Sequence, residues 1–401
     1  MKKNIGLVAF AALLIAGAQA QRRHHEDPLL APAERQSLRD ALNESGELSG
    51  SAPQFSRLQL SGTNADSPPP SIPLAALAKP LDRSIGTAVQ SPLVGDKGYA
   101  AILTREFDMV TPENEMKFVH VHPAPATYQF ADAEMIVGFA KSHGMQVRGH
   151  TLVWQNLDSG NEDQVPEWVA QTTQGLQGAA LSTKLSQILQ DHIKTVAGNF
   201  SGKVYSWDVV NEAIDNTGAM RKTIWSRSNA ANDPDYAYIA KAFKWAHEAD
   251  PQAKLFYNDY GLESNPTKAA AVVKLISELR KAQVPIDGVG LQMHLELGVD
   301  PHSFAALIET FAAMSLEVHI TELDVAIPDL SPASLSAQAA LYGHAMQACL
   351  SVSACKALVV WGFSDAHSWK ASQTPDLFNA DGKPKDAYGA VWHALRGGSS
   401  R

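Results

Sequence analysis

From Leu74 to Leu395, short apolar, β-branched runs alternate with longer stretches in which apolar residues recur at helical spacing. The runs are Ser84–Val89, Met109–Glu113, Gln146–Trp154, Val204–Asn211, Lys254–Tyr260, Gly288–His294, Glu317–Asp324 and Ala357–Ser364. They are near-continuously apolar rather than alternating, the pattern of parallel strands covered on both faces. Helices are expected between them. Asp235–Ala249 puts Ile239, Phe243 and Ala246 on one face, and Pro266–Ala282 does the same with Val272, Leu275, Ile276 and Leu279. Eight strand–helix units in about 320 residues predict one α/β domain, a (β/α)8 TIM barrel over residues 74–395. A doubly wound open sheet is the rival, but no Gly-rich phosphate loop follows an early strand.

The first 73 residues follow another pattern. Lys2 and Lys3 precede a mostly apolar run from Ile5 to Ala16 and then Ala18-Gln19-Ala20, the form of a secretory signal peptide over residues 1–20. That run is too short to span a bilayer, and no other apolar stretch is long enough. A soluble, exported product is expected, extracellular or periplasmic. Residues 21–73 open on Arg22-Arg23-His24-His25, are rich in Gly, Ser, Asn and Asp, and close on Pro68-Pro69-Pro70. They predict a disordered, low-complexity extension with a short helix around Pro32–Leu42 and without the aromatic density of a carbohydrate-binding module.

Charge and cysteine content narrow the partners. The formal net charge is −9, and loss of residues 1–20 removes two lysines and no acids, giving −11. Such a chain excludes nucleic acid and suits a neutral polymer. A monomer is expected. The two cysteines, Cys349 and Cys355, read as a small structural disulfide in an exported protein, with a pair of buried thiols as the alternative. No ligand set with metal-binding spacing occurs, so no metal and no cofactor are expected.

The candidate chemistry lies where the strand runs end, because a barrel of this kind carries its site at the carboxyl ends of its strands. The second run gives Glu113, Asn114 and Lys117; the third His150, Trp154 and Gln155; the fourth Asn211 and Glu212; the sixth Gln292 and His294; the seventh Glu322 and Asp324; the eighth Trp361. Two of these, Glu212 and Glu322, are carboxyls on different strands facing one cleft, which is what glycosidic bond cleavage requires. Residues two apart on a strand share a face, grouping Asp208 with Glu212, Gln292 with His294, and Glu322 with Asp324. His294 and Asp324 are thereby placed near Glu322, to hold it ionised as a nucleophile. Glu212, as general acid, needs a raised pKa from an apolar wall and from the charge of Glu322. Asn211 can donate to a sugar hydroxyl, and Trp154, Trp361 and Trp369 offer flat faces for sugar rings.

Residues 74–395 resemble the catalytic domain of glycoside hydrolase family 10, the retaining endo-1,4-β-xylanases. The resemblance rests on Thr111-Pro112-Glu113-Asn114-Glu115-Met116-Lys117, Gly149-His150-Thr151-Leu152-Val153-Trp154, Trp207-Asp208-Val209-Val210-Asn211-Glu212-Ala213, Tyr257-Asn258-Asp259-Tyr260, Gln292-Met293-His294, Ile320-Thr321-Glu322-Leu323-Asp324 and Trp361-Gly362-Phe363-Ser364-Asp365. It implies that Glu212 is the acid/base and Glu322 the nucleophile, acting on xylan and xylo-oligosaccharides. It also implies that Glu113, Asn114, Lys117, His150, Trp154, Gln292, Trp361 and Trp369 line the glycone subsites, and that Cys349 and Cys355 pair. The sequence departs at Gln155, Leu157 and Gly261, where the family usually has His, often Gln, and Asn. A β-1,4-glucanase on the same barrel and a catalytically silent carbohydrate-binding protein are the alternative readings.

Overall fold

A computed structural model describes residues 72–156 and 163–398. The signal peptide expected over residues 1–20, all of the extension expected over residues 21–73 but its last two residues, the Pro32–Leu42 helix and Leu157 lie outside these described residues. In chain order the elements are α1 (Leu74–Ala78), β1 (Ser84–Val89), α2 (Lys97–Glu106), β2 (Met109–Pro112), α3 (Phe118–Val121), α4 (Ala131–Ser142), β3 (Gln146–Val153), α5 (Glu167–Thr173), α6 (Gly178–Asn199), β4 (Ser206–Asn211), α7 (Ala237–Ala249), β5 (Lys254–Asp259), α8 (Pro266–Lys281), β6 (Gly288–Leu291), β7 (His294–Glu296), α9 (His302–Ala313), β8 (Glu317–Ala326), α10 (Pro332–Ser351), β9 (Cys355–Val360) and α11 (Asp386–Gly398).

All strand pairings among these elements are parallel, and β1 to β6, β8 and β9 pair in turn around a closed ring, with β6 beside β8 and the short β7 paired to β8 alone. β9 returns to β1, which closes an eight-stranded barrel. Every residue of β2 and β4 is buried, as the apolar runs required. The helices stop and start on local signals. Asn265 caps α8 by accepting from the Lys268 amide at 3.0 Å, with Pro266 in the first turn, where its missing N–H costs nothing. α6 buries Leu181, Leu185, Ile188, Leu189, Ile193 and Val196, one stripe of 3.6-residue period against the barrel.

Two details depart from the expected strands. The sixth run is not one strand: β6 ends at Leu291, Met293 takes a φ of 57°, and β7 resumes at His294, pairing with β8. Gln292 and His294 therefore reach the barrel mouth through a left-handed kink rather than by simple alternation. On β4 the register against β5 shifts between Asp208 and Val210, and Glu212 has a φ of 58°, so consecutive Asn211 and Glu212 both serve the mouth.

The disulfide is formed: Cys349 at the end of α10 and Cys355 at the start of β9 are bonded, with Cα atoms 5.2 Å apart. Among the described residues no helix is long and apolar enough to cross a membrane.

Candidate active site

The barrel interior below the mouth is polar as well as apolar. Arg148 of β3 is fully buried and donates to both oxygens of Asp208 at 3.0 and 2.7 Å, while its Nε donates to Nδ1 of His319 at 3.2 Å. His150 Nδ1 lies 3.0 Å from the same Asp208 carboxylate. Burial alone would raise Asp208, but Arg148 and His150 hold it below the ordinary carboxylate value. Asp208 thus orients His150 beneath the cleft, and its pairing with Arg148 joins β3 to β4.

Glu212 stands at the carboxyl end of β4. Its Oε2 accepts from Trp154 Nε1 at 2.9 Å, and its Oε1 accepts from Gln292 Nε2 at 3.0 Å and Asn211 Nδ2 at 3.2 Å. Burial raises its pKa, and the charge of buried Asp259 raises it further. The donations from Gln292 and Trp154 pull the other way, and Glu322 adds a smaller upward push. The expected direction holds, but the principal charge is Asp259 rather than Glu322. Asp259 is fixed by Lys268 Nζ at 2.8 Å and by the Tyr257 hydroxyl at 2.5 Å, all fully buried.

Glu322 receives the opposite treatment. Oε1 accepts from Asn258 Nδ2 at 2.7 Å, and Oε2 lies 3.2 Å from His294 Nε2, whose Nδ1 is 2.7 Å from Asp324 Oδ2. Burial opposes the charge of Glu322, yet the hydrogen bond from His294 and the charges of His150 and His294 leave its pKa below the ordinary value. Burial likewise works against a charged His294, but Asp324 and Glu322 raise it to about 10. Asp324 acts through His294 rather than touching Glu322 itself. Its remaining contacts are Trp369 Nε1 at 2.8 Å and Lys370 Nζ at 3.4 Å.

The other expected residues gather at the same mouth. Glu113 accepts from Gln90 Nε2 at 3.0 Å, and Lys117 donates to Asn114 at 2.9 Å with its ammonium 5.0 Å from the Trp154 ring centre. Trp361 meets His150 edge-on at 5.2 Å between ring centres, and Trp369 meets His294 at 5.0 Å. Trp369 is 55% exposed, which leaves a large indole surface for a ligand.

Sequence reasoning gave Asn258 no role, although it lies one residue before the end of β5, close to where the strand-end rule looks. Its Nδ2 also donates to Asn211 Oδ1 at 2.9 Å, so Asn258 and Asn211 tie the two glutamates into one network. Asn211 therefore spends one donor on Glu212 as well as facing the cleft. Gln155 is buried, and its Nε2 reaches the Glu212 carbonyl at 3.4 Å, which explains a departure that buttresses the acid's backbone. Gly261 has a φ of 69°, a conformation that Gly and Asn both adopt, so that departure leaves the turn unchanged.

This arrangement coincides with a known family. The model of Glycosyl hydrolase family 10 matches residues 73–394. The chain belongs to this family. It is 39% identical over 336 residues to Endo-1,4-beta-xylanase B of Thermotoga neapolitana, covering 80% of this chain and 90% of that one. Native xylanase 10B from Thermotoga maritima superposes with a TM-score of 0.75 at 37% identity, covering 82% of this chain and 100% of that one. Xylanase 10B from Thermotoga petrophila RKU-1, solved in complex with xylobiose, gives 0.74 at 35% identity, covering 82% and 99%. For a family 10 glycosyl hydrolase, the barrel mouth that gathers Glu212 and Glu322 is the expected place for catalysis.

Proposed function

We propose that this family 10 chain is an endo-1,4-β-xylanase that hydrolyses internal bonds of xylan with net retention, Glu322 acting as nucleophile and Glu212 as acid/base. The observation that carries the roles is the opposite environment of the two carboxyls. Glu322 is held ionised by Asn258 and the His294–Asp324 pair. Glu212, buried and beside the charge of Asp259, retains its proton to higher pH. The substrate reading is supported by the xylanase relatives and by the xylobiose bound to one of them.

In the first step a Glu322 oxygen attacks the anomeric carbon while Glu212 gives its proton to the departing glycosidic oxygen. The bond to the leaving chain breaks and a glycosyl–Glu322 ester forms. In the second step Glu212, now a carboxylate, takes a proton from water as that water attacks the same carbon, releasing Glu322. Two inversions give retention. Glu113, Asn114, Lys117, His150, Trp154, Gln292, Trp361 and Trp369 line the glycone side. Trp369 closes over a ring that lacks the hydroxymethyl group of glucose, and so disfavours glucan. Residues 1–20 direct export, and the monomeric domain 74–395 works without residues 21–73.

Reducing sugar released from xylan and from carboxymethylcellulose, by wild type and Glu322→Ala, tests this reading. Expected is release from xylan well above that from carboxymethylcellulose, lost in the variant. Faster release from carboxymethylcellulose would make the chain a glucanase, and release from neither would make it a binding protein.

A further inference from the structure

A second concave site lies on the flank of the barrel, apart from the mouth. α5 presents Trp168 and Thr172, α6 presents Lys184, Gln187 and Asp191 from one helical face, and the loop after α3 supplies His122; together they enclose a cavity of about 240 Å³. That is below the usual size of a drug-sized ligand site and leaves room for a single sugar ring. Hydrogen bonds tie the walls together. Trp168 donates from Nε1 to the His122 carbonyl at 3.0 Å, and Asp191 accepts from the Tyr128 hydroxyl at 2.9 Å. Below them Tyr128, His122 and Phe118 form a stack with ring centres 4.1 and 5.2 Å apart.

The lining of this cavity points to a polyhydroxylated ligand. Its lining is mainly apolar around a half-buried indole, with a carboxylate, an amide and an ammonium spaced along α6, the combination that stacks a sugar ring and bonds its hydroxyls. Below this lining His122 is buried and stacked on Tyr128, which closes the floor of the cavity.

We propose that the cleft between α5 and α6 is a second carbohydrate site, taking one xylosyl unit of a polymer whose scission takes place at the barrel mouth. The identity of the sugar rests on the xylanase reading above. The site would hold an insoluble or long chain near the cleft and leave short substrates unaffected. Nothing in it touches Glu212 or Glu322 among the contacts described above.

The test compares Trp168→Ala and the double variant Lys184→Ala/Gln187→Ala with wild type in the full chain. Three quantities are read: kcat/KM on an aryl β-xylobioside, initial rate on insoluble xylan, and depletion of protein by insoluble xylan. Expected is kcat/KM on the xylobioside within about twofold of wild type, while rate on insoluble xylan and depletion fall by about threefold or more, the scale of one lost aromatic or polar contact set. Unchanged rate and depletion on insoluble xylan, or equal loss on both substrates, would overturn the proposal. If Trp168→Ala does not fold, the double variant, whose side chains are half-buried and exposed, decides alone. A wild type that cleaves neither substrate refutes the xylanase reading instead, and depletion by xylan then still decides this site.

Discussion

Asn258 donates from Nδ2 to Oε1 of Glu322 at 2.7 Å, the shortest contact that either glutamate makes with a neutral side chain among the described residues. The Thr321 hydroxyl donates to Asn258 Oδ1 at 2.7 Å and fixes the amide's orientation. Hydrogen bonds to charged groups are worth about 1.5–3 kcal/mol. Asn258→Ala should therefore lower kcat/KM on an aryl xylobioside by about tenfold to a hundredfold with an unchanged circular dichroism spectrum. A loss under about twofold would mean that Glu322 does not depend on this bond.

Gly290 makes that contact possible. A Cβ at Gly290 would sit 2.0 Å from Asn258 Oδ1, a distance no packing tolerates. Gly290→Ala should displace the Asn258 amide and reproduce the Asn258→Ala defect in kcat/KM. Activity equal to wild type would show that β5 and β6 can move apart at no cost.

Most of the barrel was legible because a buried parallel strand has little freedom in composition: each of the eight runs overlaps a strand of the barrel, with ends that differ by none to four residues. The kink at Met293 was not legible, since a φ of 57° on a methionine carries no local signal in the sequence. The meeting of Glu212 and Glu322 in one network at the barrel mouth was legible from the strand-end rule. The leading charge on Glu212 was not, because Asp259 ends another strand and only the folded chain brings the two together.

That charge gives a pH prediction. The proposed mechanism requires Glu322 ionised and Glu212 protonated, so the acid limb of kcat/KM should report a group below the ordinary glutamate value and the alkaline limb one above it. Asp259→Asn removes a negative charge and leaves Lys268 without its carboxylate, and both changes favour ionised Glu212. The alkaline limb should move to lower pH, with a stability loss of about 3–5 kcal/mol from breaking a buried pair. An alkaline limb that stays in place would remove Asp259 from the tuning of Glu212.

His319 should make the fold acid-labile. It is fully buried, accepts from Arg148 at Nδ1 and lies 2.9 Å from Glu317 at Nε2; burial above all lowers its pKa from 6.5 to about 4. The unfolded chain takes up the proton near pH 6.5 and the folded one near 4, so stability is full above about 6.5 and declines as pH falls between these values, by roughly 3 kcal/mol at most. His319→Gln, which can accept from Arg148 and donate to Glu317, should flatten this part of the urea-unfolding profile. An equal slope in the variant would assign the acid sensitivity to other groups.

Asp376 should act with the opposite sign. It is fully buried, and burial followed by the charges of Asp365 and Asp324 raises its pKa well above 3.8, against smaller opposing effects of Lys385 and Ser368. The unfolded chain ionises first, so this group costs stability as pH rises from about 4 toward its folded pKa. Asp376→Asn keeps the shape and removes the charge, and should raise the midpoint of thermal unfolding at pH 8 more than at pH 4. An equal or larger rise at pH 4 would contradict a protonated Asp376.

The assignment of Glu212 and Glu322 is tested most directly by azide rescue of Glu212→Ala on an aryl xylobioside whose leaving group needs no protonation. The first step then proceeds through Glu322, and azide replaces the water that Glu212 can no longer activate. Expected is activity restored by azide with a β-glycosyl azide as product, while Glu322→Ala gives none. A β-azide from Glu322→Ala, or an α-azide from Glu212→Ala, would reverse the two roles.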